Sequence, residues 1–396
     1  MNPNLKQLQP YPFEKLTALK AAAKINCDLP HIALSIGEPK HESPKFVLDT
    51  MAQNLGKLAN YPTTKGLPEL RQTISDWAKQ RFSLSSLDIE TQVLPVNGTR
   101  EAIFSFTQAM VEGKDNALVV CPNPFYQIYE GATYLAGAEP HYLPCLEENS
   151  FLPDFDKVSE EIWQRTQILF ICSPGNPTGA VHDQDTLKKL IRLADQHDFI
   201  IASDECYSEI YVESAKPPVG LLEVCAEMGR HDYQRCVVFH SLSKRSNLPG
   251  LRSGFIAGDA TLLKPYFQYR TYHGCAMSIP NQLASISAWQ DEKHVEENRC
   301  LYTEKFSAVL DILQPVMDVQ QSDASFYLWA KTPINEEEFA QRLFAEHQVT
   351  VLPGSYLSRT VDGINPGQNR IRMALVAETH ECVEAAKRIR NLIESL

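Results

Sequence analysis

The chain has 396 residues, more than one core accommodates comfortably and enough for two lobes at roughly 100 to 200 residues each. Hydrophobic residues make up 43% and charged residues 22%, and 37 basic against 49 acidic side chains leave a formal charge of -12, which suits a globule and disfavours nonspecific attraction to nucleic acid or anionic lipid. Apolar runs such as Ala117 to Cys121 are too short to span a bilayer, and Met1-Asn2-Pro3-Asn4-Leu5-Lys6 lacks the features of an export signal, so the protein is expected in the cytoplasm.

The arm Leu8-Gln9-Pro10-Tyr11-Pro12-Phe13 is too proline-rich to predict a helix, and its aromatics call for cover by another lobe or another subunit. From about residue 45, helix-like segments alternate with short strand-like runs: Thr91 to Pro95, Ala117 to Cys121, Ile168 to Cys172, Phe199 to Ser203, Val237 to His240 and Gly254 to Ala257. That alternation implies a mainly parallel sheet between helices. After Ile279 the pattern changes to long amphipathic helices, strand candidates at Ser325 to Ala330 and Arg370 to Leu375, and a closing helix through Ile393. The expected division is an arm and part of a small α+β domain over 1–44, a large domain over 45–285, and the rest of the small domain over 286–396. The ten cysteines are scattered, with no C-x-x-C pair and no zinc spacing, so reduced thiols are expected and no metal. Asn97-Gly98-Thr99 matches the glycosylation acceptor only formally in a cytoplasmic protein.

Polar clusters sit at strand ends, where open α/β sheets place their ligands. In chain order they are Asn97-Gly98-Thr99, Ser173-Pro174-Gly175-Asn176-Pro177-Thr178-Gly179, Ser203-Asp204-Glu205-Cys206-Tyr207, and Ser241-Leu242-Ser243-Lys244 with Pro249-Gly250-Leu251-Arg252-Ser253-Gly254. Read as chemistry, Ser241 and Ser243 offer hydroxyls, Arg252 a planar charged fork, and Gly98, Thr99 and Arg100 the start of a helix, which together suit a phosphate. Lys244 follows a strand, and with a depressed pKa it could condense with an aldehyde. Asp204 ends an apolar strand and, unless it caps a helix, needs a cationic partner.

The set resembles the class I and II aminotransferases of the fold-type I pyridoxal-phosphate family, from Ile36-Gly37-Glu38-Pro39 to Arg370-Ile371-Arg372. The resemblance implies a large domain with a mainly parallel seven-stranded sheet, a smaller α+β domain, and pyridoxal 5'-phosphate on Lys244. It implies that Asp204 pairs with the protonated pyridine nitrogen, that Asn176 and Tyr207 bond the ring's phenolic oxygen, and that Tyr126 covers the ring. Gln127 stands where the family has a proline, which leaves Phe125 open as an alternative cover. Arg372 would hold the substrate α-carboxylate, with Arg370 facing the same side of its strand and Gly37 a second contact. Tyr61, in Tyr61-Pro62-Thr63-Thr64-Lys65-Gly66, matches the residue that reaches the neighbouring subunit's phosphate, which implies a homodimer with shared active sites.

Amino acids and 2-oxo acids would be the substrates. Within the family the run from Ser241 to Phe255 and the arm look most like succinyldiaminopimelate aminotransferases, implying 2-oxoglutarate and glutamate as the partner pair; Arg100, or Lys65 of the partner subunit, could read the distal groups. Aminotransferases for aspartate, alanine or aromatic amino acids, and β-eliminating lyases, share the same lysine, aspartate and arginine. A ligand-binding module of a regulator would carry a DNA-binding domain. H-E-x-x-H, G-x-G-x-x-G and G-x-x-x-x-G-K-[ST] are absent.

Overall fold

The computed structural model describes residues 1–114, 116–212 and 215–396. Its strands are β1 (Ile32–Ala33), β2 (Val93–Val96), β3 (Leu118–Asn123), β4 (Glu139–Pro144), β5 (Thr166–Cys172), β6 (Ile200–Asp204), β7 (Cys236–Ser241), β8 (Gly254–Gly258), β9 (Tyr327–Lys331), β10 (Val349–Thr350), β11 (Leu352–Pro353) and β12 (Arg370–Ala374). A seven-stranded sheet runs in the order β2-β8-β7-β6-β5-β3-β4. All neighbours are parallel except β8, which is antiparallel to both β2 and β7. The C-terminal ends of β2, β5, β6 and β7 therefore open on one edge.

Alternation along these strands divides their side chains between two cores. Val120, Leu169, Ile171 and Val238 join one cluster with Leu70, Ile74, Trp77 and Trp289. Val119, Ile168, Phe170 and Phe239 join another with Phe106, Tyr129 and Tyr266. Both faces are thus dry, as a sheet with helical crossovers requires. The helix Gln184–His197 shows how the covering layer is encoded: Leu187, Leu190, Ile191 and Ala194 are buried at helical spacing, and Asp183 caps its start by accepting from the Thr186 amide at 2.7 Å.

A third cluster unites Ile32 and Leu34 with Phe306, Leu328, Ile371, Met373 and Ile389. Here β11, β12 and β9 form an antiparallel sheet, and β1 pairs in parallel with β10. The strand β4 was missed from sequence because Glu-Pro-His-Tyr-Leu-Pro has no apolar run; it lies at the sheet edge, where half-burial suffices. The arm departs from expectation too. A helix spans Pro12–Ala22, with Pro12 in its first turn, where the missing N–H costs no hydrogen bond. Among the described residues no cysteine is joined in a disulfide. Glu101, His273 and Cys275 come together, but Arg270 donates to both Glu101 oxygens at 2.7 and 2.9 Å and already supplies the positive charge there. Among the described residues no helix is long and apolar enough to cross a membrane.

Candidate active site

At the sheet edge a cavity of about 520 Å³ gathers side chains from nearly the whole length of the chain, from Tyr11 to Arg372. One end is an anion cradle. Ser241 closes β7, and its hydroxyl accepts from the Ser243 amide at 3.1 Å and donates to the Ser243 hydroxyl at 2.9 Å. Arg252, in the left-handed region at φ +54°, donates to the carbonyls of Pro249 at 2.9 Å and Asn97 at 3.3 Å. Thr99 opens the helix Thr99–Met110, whose first amides carry partial positive charge. Gly98 does not line the cavity; it makes room for the cradle. A Cβ there would lie 2.3 Å from Arg252 Nη2, and its φ of +84° is strained for any side chain.

Lys244 projects from the short helix Leu242–Arg245, and its ammonium donates to the Gly37 carbonyl. It makes no ion pair among the described residues. Burial is the main cause that brings its pKa down to about 8, and the nearby Arg372 and Arg100 act in the same direction. An amine at that value is partly neutral, hence nucleophilic and able to carry protons, near physiological pH.

Asp204, the last residue of β6, is buried, and burial pushes its carboxyl above the ordinary range while hydrogen bonds from Cys206 and Tyr129 pull it back. The Tyr129 hydroxyl donates to Oδ2 at 2.8 Å and the Cys206 amide to Oδ1 at 3.3 Å. No described residue pairs with it as a cation, so this carboxylate faces the cavity short of a positive partner.

On the other side, Arg372 lies opposite Trp329 in the register of β12 and β9. Its Nη1 donates to Asn176 Oδ1 at 2.9 Å and its Nη2 to the Ser35 carbonyl at 2.7 Å, while Nε is buried without a hydrogen-bond partner among the described residues. The guanidinium stands 4.5 Å from the centre of the Tyr327 ring. The Tyr207 and Tyr327 hydroxyls meet at 3.0 Å, and a Cβ on Gly37 would lie 2.0 Å from the Tyr327 oxygen, so glycine is what allows that backbone so near. Tyr126 lines the cavity and accepts from Arg100 Nε at 2.6 Å, whereas Phe125 is buried against Tyr142 beneath Arg359. Between the two aromatics, the structure places Tyr126 at the site. Arg100 also approaches the Tyr11 hydroxyl at 3.5 Å and forms no ion pair among the described residues.

Of the residues selected from sequence, the cavity brings together Gly37, Thr99, Arg100, Tyr126, Asn176, Asp204, Tyr207, Ser241, Ser243, Lys244, Arg252 and Arg372. Tyr61 is fully exposed and outside this chain's cavity. Arg370 shares a strand face with Arg372, but its guanidinium pairs with Glu147 at 2.7 Å and lies over Phe151, so it does not join the site. Sequence reasoning passed over Tyr129, which bonds Asp204 without itself lining the cavity, and Tyr327, Cys172 and Cys206, which line it. For Tyr129 a signal existed: helical spacing puts it one turn beyond Tyr126. Nothing local marked Tyr327.

A partly neutral lysine, a buried carboxylate lacking a cation, and a cationic, hydroxyl-rich cradle at a helix start together fit a phosphorylated pyridine aldehyde. The comparisons with known proteins agree with that fit. A family model described as aminotransferase class I and II matches residues 30–389. The LL-diaminopimelate aminotransferase of Maridesulfovibrio salexigens is 34% identical over 395 residues, covering 98% of this chain and 98% of that protein. That of Aquifex aeolicus is 34% identical over 394 residues, with the same coverage. Among solved structures, an aminotransferase from Neisseria meningitidis is 50% identical with a TM-score of 0.95, covering 99% of this chain and 100% of that one. A probable N-succinyldiaminopimelate aminotransferase from Thermus thermophilus is 26% identical with a TM-score of 0.84, covering 96% and 99%.

Proposed function

Because the chain belongs to the class I and II aminotransferases and is pyridoxal-phosphate-dependent, we propose that it exchanges an amino group between N-succinyl-LL-2,6-diaminopimelate and 2-oxoglutarate, in lysine and diaminopimelate biosynthesis. The cofactor supplies an aldehyde carbon that takes up amino nitrogen and a ring that accepts electron density from the substrate's α-carbon. In this reading Ser241, Ser243, Arg252 and the amides at Thr99 and Arg100 hold the phosphate. Asp204 keeps the ring nitrogen protonated, Asn176 and Tyr207 bond the phenolic oxygen, and Tyr126 covers the face. Arg372 binds the α-carboxylate with a fork already aimed by Asn176 and Ser35. With the α-carbon so oriented, the Lys244 amine would carry a proton between that carbon and the cofactor carbon that takes up the nitrogen.

The observation that carries the substrate class is Arg100. Besides Arg252 at the cradle and Arg372, it is a third arginine of the cavity, without an acidic partner among the described residues, and it suits a donor with a carboxylate beyond the α-carboxylate. The curated relatives named for the unsuccinylated compound supply a second reading, LL-diaminopimelate itself. Glu38 favours it, since among the described residues it is, apart from Asp204, the acidic side chain lining the cavity and could receive the distal ammonium. The two are separated by kcat/KM for each donor with 2-oxoglutarate as acceptor. A preference of about tenfold or more for the succinylated donor is expected; the reverse order establishes the second reading, and equal failure of both beside rapid aspartate turnover removes diaminopimelate chemistry altogether. We also assign Tyr61 to a neighbouring copy's phosphate, in a homodimer with shared sites.

A further inference from the structure

We infer that Tyr129 is a positioning residue for amino transfer: its hydroxyl fixes the Asp204 carboxylate that meets the cofactor's ring nitrogen and keeps that carboxylate an acceptor. The inference rests on the assignment of Asp204 made above. Tyr129 lies in the first turn of the helix Gln127–Leu135, fully buried, stacked on Phe170 of β5 at 4.6 Å between ring centres with 9° between planes. Tyr126 meets it edge-on at 5.9 Å and 88°. Clamped on its face and at its edge, the ring cannot swing away, and its hydroxyl stands 2.8 Å from Asp204 Oδ2. The other oxygen receives the backbone amide of Cys206 at 3.3 Å, near the long limit of a hydrogen bond.

Burial and the adjacent Asp204 hold the phenol well above its ordinary range, so it remains a proton donor wherever the enzyme works. A carboxylate that accepts such a bond gives up part of its basicity. Asp204 then competes less for the proton shared with the ring nitrogen, and that proton stays on the ring. Tyr129 thereby couples the residue covering the cofactor to the residue beneath its nitrogen, in a single helical turn.

The test uses holoenzyme loaded with pyridoxal phosphate labelled with 15N in the ring. Tyr129→Phe should move the ring-nitrogen resonance toward neutral pyridine, weaken cofactor binding about tenfold, and lower kcat with KM little changed. 3-Fluorotyrosine at position 129 alone keeps the size and the hydroxyl but donates more strongly, and should move the resonance the opposite way; it also serves should Tyr129→Phe not fold. In an Asp204→Asn background the effects of Tyr129→Phe should disappear. Unchanged resonance and affinity in Tyr129→Phe, or losses that persist undiminished with Asp204→Asn, would overturn the inference. An Asp204→Asn protein with wild-type resonance and affinity would instead remove the underlying assignment of Asp204.

Discussion

Lys244 is placed where its charge is costly, and that can be measured without any turnover. A lysine whose folded pKa is lowered from 10.5 to about 8 binds fewer protons folded than unfolded between those values, so its penalty is full below pH 8 and relieved as pH rises toward 10.5. At pH 7 the cofactor-free Lys244→Met protein should be more stable than wild type by up to about 3 kcal/mol, and the difference should vanish above about pH 10. Equal urea midpoints of the two proteins at pH 7 would refute this. The candidate lysine was legible in sequence because serines and an arginine surrounded it at fixed spacing. Tyr327 was not, since its importance comes from meeting Tyr207 and Gly37 across the cavity, and no local pattern encodes a contact between residues so far apart in the chain.

A buried ion pair ties the helix that begins beside Tyr126 to the segment that holds Arg359. Arg359, following the turn Gly354–Leu357, donates from Nε and Nη2 to the two oxygens of Glu130 at 2.7 and 2.6 Å. Asn123, at the end of β3, and Arg359 exchange two further hydrogen bonds, at 2.8 and 3.0 Å. Glu130 is nearly inaccessible, so removing its partner leaves an uncompensated charge. Arg359→Leu should cost about 2 to 4 kcal/mol in urea unfolding, and adding Glu130→Gln should recover part of that loss. If the double variant is no better than the single, the pair is not what holds these segments. At this scale the strands of the parallel sheet were legible as apolar runs ending in polar clusters. The edge strand β4 and the helix starting at Pro12 were not, because an exposed edge needs no apolar run and a proline in the first turn resembles a proline that breaks a helix.

For the molecule as a whole, the doubly covered sheet and the site at one of its edges followed from the order of elements, whereas the division between copies of the chain did not. Tyr61 stands fully exposed, with Leu55 and Leu58 exposed nearby. If Tyr61 completes a neighbour's site, mixing inactive Tyr61→Ala and Lys244→Ala chains should restore about a quarter of wild-type activity, since half of randomly formed dimers are mixed and each of those holds one intact site. No recovery would confine each site to one chain. Asp204 and Lys244, which make no ion pair among the described residues, have a further consequence, for how the protein endures in a cell. Both charges oppose folding until something neutralises them, so the vitamin-derived ligand acts as part of the fold's own stability. Each tenfold rise in free pyridoxal phosphate above its dissociation constant should add about 1.4 kcal/mol to the unfolding free energy, and the midpoint of thermal unfolding should climb with it. Vitamin shortage would then lower the amount of this enzyme as well as its activity, because the unloaded chains open more often and meet proteases first.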